Sequence, residues 1–305
     1  MINYEHDYRA ARAALTYLAE PAEPLIGELI QTVGPCGAVA AIRTGALPAT
    51  ALEDLDEVQE ARAWRALSRW QARLNALPPG IGPDTHEEHG IRLVCPGDPG
   101  WPGQFEDLGT RAPYALWVRG CTDLRTLCRR SVAVVGSRAA TAYGRTVCAG
   151  ITSELCADGW TIISGGAYGI DARTHTAALA GGGRTIAILA CGPDQPYPRE
   201  HAGLFERIAE GGAVISEHPP GTSPSRQRFL LRNRLITALA SGTLVVEAAP
   251  RSGSLVTARQ ASALGRRLMA VPGPVTSAMS AGCHHLIREQ GATLVTSAAD
   301  VIECL

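Results

Sequence analysis

Three turns in the sequence combine small residues with polar ones. They are Gly136-Ser137-Arg138, the stretch from Ser164, Gly165 and Gly166 through Tyr168 to Asp171, and Ser252-Gly253-Ser254 behind Arg251. Each follows an apolar run and leads into a helical pattern. Such turns expose backbone N–H groups, and the positive end of a helix dipole favours an anion there. Taken singly, each turn reads slightly better as plain chain architecture. Three of them, with arginines close by, predict a groove that holds phosphates.

The arginines stand in "SRQRFLLRNRLITALASG", Ser225–Gly242. Its first ten residues carry Arg226, Arg228, Arg232 and Arg234 and no acid. A helix is expected from about Leu230, since Pro224 and Ser225 belong to a turn. Leu231, Leu235, Ala238 and Leu239 form its core-facing stripe. Arg234 lies beside that stripe and Arg232 one step round from it. A guanidinium next to a core needs a fixed partner, and Arg grips phosphate bidentately. The competing reading is a solvated arginine helix with Glu247 or Asp171 as internal partners. Arg226 and Arg228 fit that reading, as flanking field, better than Arg232 and Arg234 do. Asn233 sits between the two stronger candidates. Phe229, one of 3 Phe in the chain, stands inside the cluster. It is either a platform on which a nucleic-acid base stacks or a staple that packs the helix start.

The rest of the chain carries no matching field. Lys+Arg number 28 against 29 Asp+Glu, a formal charge of -1, so a polyanion would have to be met by a local patch. Hydrophobic residues at 46% and charged residues at 19% indicate a folded globular protein and argue against disorder. The N-terminal residues do not form a secretory signal, and no apolar run approaches the roughly 18–20 residues of a membrane span. The 9 Cys are odd in number, irregularly spaced and without CxxC, which reads as reduced, mostly buried thiols of a cytosolic protein. "HEEH", His86–His89, lacks a third ligand nearby and reads as a loop; no metal and no cofactor are expected.

The elements that must position the turns follow from periodicity. From "SVAVVG" (Ser131–Gly136) onward, apolar β-rich runs alternate with helical segments: "WTIIS", "RTIAILACG", "AVISEH", "TLVVEA", "RLMAVPG" and "ATLVTS". Val147, Ile151 and Leu155 fall on one helical face. This is the α/β class: an extended, Rossmann-like, mostly parallel sheet with helices on both faces. "IRLVCPGDPGWPGQFEDL" and "YALWVRG" add short strands and turns. The first 76 residues read as helices, with two short pieces around Gly34, Pro35 and Gly37 that resemble a SAM-like unit; a plain helical bundle is the alternative. The boundaries are a small all-α N-terminal domain at 1–76, a linker at 77–90 around "LPPGIGPD", and the sheet domain at 91–305. In such sheets ligands bind outside the carboxyl ends of the strands, where the three turns fall. The dinucleotide pattern G-x-G-x-x-G, the Walker pattern and the G-x-S-x-G elbow are all missing, which disfavours NAD binding, ATP hydrolysis of that type and serine hydrolysis.

The ordered set "GSR", "SGGAYGID", "CGPDQPYP", "ISEHPPG", "FLLRNRLITALA", "VVEAAPRSGSLVTARQA" and "VPGPVTSAMSAGCHHLI" resembles the DNA-processing protein A family, also called DprA or Smf. The resemblance is close over Ser131–Leu305 and looser over Ile91–Gly120. It implies a non-enzymatic, single-stranded-DNA-binding homodimer that protects incoming strands and loads the RecA recombinase in natural transformation. It places the DNA pocket on Gly136, Ser137, Arg138, Gly165, Gly166, Phe229, Arg232, Asn233 and Arg234, closed by Ser252, Gly253 and Ser254. It makes Leu286 and Ile287 dimer candidates, although a Leu-Ile pair also suits a core. The sequence departs from the family at Leu230, where Pro is usual, and at His201 and His284, where Asn is usual. The winged-helix module of many relatives is not expected here. A second reading is a nucleotide phosphoribohydrolase of the LOG type, whose P-G-G-x-G-T-x-x-E signature is approached only by Ser241–Glu247.

Overall fold

A computed structural model describes residues 4–53, 55–78 and 80–305. Three helices lead: α1 (Tyr8–Leu18), α2 (Pro24–Thr44) and α3 (Glu57–Ala76). Asp7 caps α1 by accepting from the N–H groups of Arg9 and Ala10, and Asp56 with Gln59 forms a reciprocal capping box on α3. α2 breaks at Gly34, with φ 72° and ψ 171°, so the two helical pieces expected there are present as one interrupted helix. By length and composition α2 is apolar enough to cross a membrane, contrary to the expectation that no run is. Its buried face packs with α1 and α3 around Leu15, Ile26, Leu29, Ile42 and Trp70.

The remainder alternates strand and helix. It runs β1 (Ile91–Val94), β2 (Leu116–Gly120), α4 (Leu124–Cys128), β3 (Ser131–Val135), α5 (Ala142–Ala157), β4 (Thr161–Ser164), α6 (Ile170–Ala180) and β5 (Thr185–Ile188). Then follow α7 (Ala202–Gly211), β6 (Ala213–Ser216), α8 (Arg226–Leu239), β7 (Gly242–Val245), α9 (Ser254–Ala263), β8 (Arg267–Ala270), α10 (Ala281–Glu289), β9 (Thr293–Leu294) and α11 (Ala298–Glu303). The strands form one sheet in the order β1-β2-β6-β5-β4-β3-β7-β8-β9. β1 and β2 extend one edge antiparallel; the pairs from β6 to β9 are parallel. The predicted α/β class and each apolar run from "SVAVVG" on are therefore found as strands.

Central strands are buried on both faces, which is why they read as unbroken apolar runs. Ala133 and Val135 of β3 face a core shared with α8 and α9, while Val132 and Val134 face one shared with α5 and α11. After β3 the chain builds outward through β4, β5 and β6. It then returns along α8 and lays β7 on the other side of β3. The loops leaving β3 and β7 therefore diverge to opposite faces and leave a crevice between them.

The helical layer is fastened to the sheet by specific polar contacts. Trp117 Nε1 donates to Thr16 Oγ1 at 3.1 Å. Arg9 spans both oxygens of Asp98 at 2.6 Å. His86 of "HEEH" lies 3.0 Å from the Tyr17 hydroxyl and packs edge-on against Trp117. Among the described residues no group of three His, Cys, Asp or Glu could hold a metal. All nine cysteines are free thiols and six are buried.

One buried group ties stability to pH. Thr185 Oγ1 donates to the Ile162 carbonyl at 2.9 Å, so its lone pair accepts from His175 Nδ1 at 2.7 Å. That fixes the neutral Nδ1–H tautomer and leaves Nε2 buried without a partner. Burial pushes the His175 pKa down to about 3. The unfolded chain, with an ordinary imidazole value of about 6.5, binds the proton first, so stability falls as pH drops from about 6.5 toward 3. Thermal melts from pH 7 to pH 4 should show Tm declining over that window. A His175→Gln variant should show a shallower decline; identical slopes would contradict this assignment.

Candidate functional site

The crevice at the carboxyl ends of β3 and β7 has a volume of about 480 Å³. One wall is the turn after β3. The Ser137 N–H donates to the Glu247 carbonyl at 2.8 Å, which ties this turn to the end of β7. A Cβ on Gly136 would stand 2.6 Å from the Ile170 side chain, so only glycine lets the turn pass. Arg138 is exposed, with its guanidinium 5.0 Å above the Phe229 ring. The opposite wall is Ser252-Gly253-Ser254 at the start of α9, where the two serine hydroxyls lie 2.7 Å apart. Arg251 also lines the crevice. It was absent from the expected set, although its place directly before Ser252 is a readable signal.

The floor is α8. Ser225 caps the helix by accepting from the Arg228 N–H at 3.3 Å, so α8 begins at Arg226, a turn earlier than the expected start near Leu230. This puts Phe229 inside the first turns. Phe229 is half-buried and belongs to none of the apolar core clusters. Its ring stands 5.5 Å from Tyr197, and the Arg232 guanidinium lies 5.8 Å from it. Asn233 lines the crevice beside it.

Arg232 is buried. Its guanidinium donates to the Ile188 carbonyl at the end of β5 and lies flat against Gly165, where a Cβ would overlap it. Its Nε has no partner among the described residues. Burial lowers the Arg232 pKa, helped by the neighbouring Arg138 and opposed by Asp171. Burial in turn raises the pKa of Asp171, whose carboxylate accepts from the Ala167 N–H at 3.3 Å. An incompletely partnered buried guanidinium beside two glycine-rich turns is matched to an incoming anion.

Several expected residues lie elsewhere. Arg234 is 1% exposed and does not line the crevice. It forms a two-pronged ion pair with Glu217 at 2.6 and 2.5 Å, and its Nε donates to the Arg111 carbonyl at 3.1 Å. Neither Glu247 nor Asp171 is its partner. Glu247 instead accepts from the N–H and hydroxyl of Thr141, which caps α5. Arg228 is engaged by Glu20 at 3.0 and 2.6 Å and so bridges the helical layer to α8. Arg226 is exposed outside the crevice lining. Ser164 donates to the Val134 carbonyl at 2.6 Å within the sheet. Gly166, with φ 115°, makes room for the Phe205 ring. From that second turn Ala167 and Asp171 reach the crevice instead. Leu286, expected at a dimer surface, is 2% exposed within the core, and Ile287 packs partly against the same core.

The fold defines a doubly wound α/β protein with a crevice lined by arginines and an aromatic ring at its switch point. The sequence profile of DNA recombination-mediator protein A matches residues 92–305, and the chain belongs to that family. It is 43% identical over 303 residues to a DprA-type protein of Mycobacterium tuberculosis, covering 96% of this chain and 74% of that one. Bacillus subtilis DprA is 42% identical over 220 residues, covering 72% of this chain and 73% of its own. The structure superposes on Streptococcus pneumoniae DprA with a TM-score of 0.75 at 31% identity, over 99% of this chain and 98% of that one. DprA from Helicobacter pylori, described for its single-stranded DNA binding mode, matches with a TM-score of 0.63 at 28% identity, over 70% of this chain and 94% of that one.

The Arg234–Glu217 pair is a stability element. An Arg234→Ala change strands a buried carboxylate and should cost about 3–5 kcal/mol in urea unfolding. The double change Arg234→Met with Glu217→Leu should recover most of that loss. An unchanged unfolding midpoint for Arg234→Ala would refute the assignment.

Proposed function

We propose that the chain binds single-stranded DNA in the switch-point crevice and acts as a recombination mediator. It protects incoming strands during natural transformation and passes them to RecA. The observation that carries the reading is Phe229, half-exposed, with Arg138 at 5.0 Å and Arg232 at 5.8 Å and glycine-rich turns on either side. A half-exposed ring beside two guanidinium groups can take a base on its open surface while the guanidinium and turn N–H groups take the flanking phosphates. In a duplex each base is already stacked on both neighbours, so the ring selects unpaired strand. The single-stranded DNA binding mode described for the Helicobacter pylori relative supports the same ligand.

The reading extends to a cytoplasmic homodimer that works without metal or cofactor and is not an enzyme. Membership in a recombination-mediator family supports the non-enzymatic part of that reading. The LOG-type hydrolase reading has less support. Glu247, the only acid near its signature, is held by Thr141 and covered by Gly144.

Fluorescent oligo-dT and a matched duplex, titrated at two salt concentrations, test the proposal. Single strand should be preferred and its affinity should fall with salt. Arg138→Ala and Phe229→Ala should each weaken oligo-dT binding by about 1–3 kcal/mol, and Phe229→Tyr should retain it. Equal affinity of wild type and both alanine variants would remove the crevice from the DNA site. Release of base from AMP or CMP would favour the hydrolase reading.

A further inference from the structure

Arg138 belongs to two concavities. One is the crevice. The other is a trough of about 590 Å³ on the opposite face of the sheet, lined by Arg138, Arg145, Tyr168, Ala172, Arg173 and Thr176. Arg145 and Arg173 project from α5 and α6, which pack side by side over β3 and β4. Both are exposed, and no carboxylate lines the trough. Each uses one N–H internally: Arg145 Nη1 donates to the Ala140 carbonyl at 2.6 Å, and Arg173 Nε approaches the Arg145 carbonyl at 3.4 Å. The remaining N–H groups have no protein acceptor among the described residues.

Tyr168 closes the trough at its upper end. It is 46% exposed. It is nevertheless held: its hydroxyl donates to Glu200 at 2.7 Å and its ring meets His201 edge-on at 5.0 Å. This held, exposed ring shares the trough lining with Arg138, Arg145 and Arg173, none of which is in an ion pair among the described residues. The route between the two rings passes Arg138, which lines both concavities.

We propose that a bound single strand continues beyond the crevice. It crosses the top of the sheet at Arg138 and descends into this trough, where Arg145 and Arg173 take phosphates and Tyr168 stacks a base. The inference rests on the reading of the crevice as a single-strand site. It assigns the strand a path from the α8 face to the α5–α6 face. A short oligonucleotide occupies the crevice alone, and a longer one engages both concavities.

Oligo-dT of about four and about twenty nucleotides, measured by fluorescence anisotropy, separates the two claims. The variants are Arg145→Ala with Arg173→Ala, and Tyr168→Ala with Tyr168→Phe as its control; circular dichroism melts verify that each is folded. The double arginine change should leave the short oligonucleotide within about two-fold of wild type and weaken the long one by about ten-fold. Its salt slope on the long strand should fall by about 1.4, two phosphate contacts at about 0.7 each. Tyr168→Ala should weaken only the long strand, and Tyr168→Phe should not. Long-strand affinity and salt slope unchanged in the arginine variant would overturn the path while leaving the crevice site intact. Short-oligonucleotide binding that is insensitive to Arg138→Ala would overturn the crevice reading and the path with it.

Discussion

The reversal of strand order at β3 sets the position of everything functional in this molecule. Because parallel crossovers are right-handed, the chain can build outward from β3 on one side and then on the other only by placing the helices of the first run, α5 and α6, on one face and those of the second, α8 and α9, on the opposite face. The loops after β3 and β7 must therefore part, and the gap they leave is the crevice. The return connection is α8, which packs against β3, β4 and β5. Running against the strands, it starts at their carboxyl ends. The same topological step that opens the crevice thus delivers the arginine-rich helix start to its floor.

The arginines of α8 show how one short segment serves three purposes. Arg228 reaches outward to Glu20 of the helical layer, and Arg234 turns inward to Glu217. Arg232 faces the crevice with only a backbone carbonyl as a hydrogen-bond partner and Asp171 nearby. Two of the charges are neutralised within the protein. The net positive field at the sheet edge comes from Arg232 together with Arg138 and Arg251. This is consistent with a chain whose formal charge is only -1.

Fold class, strand runs and crevice turns were legible in the sequence because they rest on local signals. Unbroken apolar runs mark strands buried on both faces, and glycine marks turns where a side chain would collide. The fate of individual polar side chains was not legible. Arg234 and Arg232 lie two residues apart on one helix and face different surroundings, which depends on where β6 places Glu217. Ser164 resembles a ligand-binding serine, yet its hydroxyl is used by the neighbouring strand. Phe229 was open between platform and staple; two of its partners, Tyr197 and Arg138, come from distant loops, and the third, Arg232, stands one turn further along α8. Leu286 was a dimer candidate through the family resemblance alone, and its burial in the core follows the other reading, that a Leu-Ile pair suits a core.

Arg228 is clamped by a carboxylate of the helical layer, and the next residue in the chain is Phe229. The crevice floor and the N-terminal helices are thus joined through one peptide unit and a two-pronged ion pair. The position of that ring is therefore set in part from the other end of the chain, since the helical layer holds Arg228 and Arg228 holds the turn of α8 on which Phe229 stands.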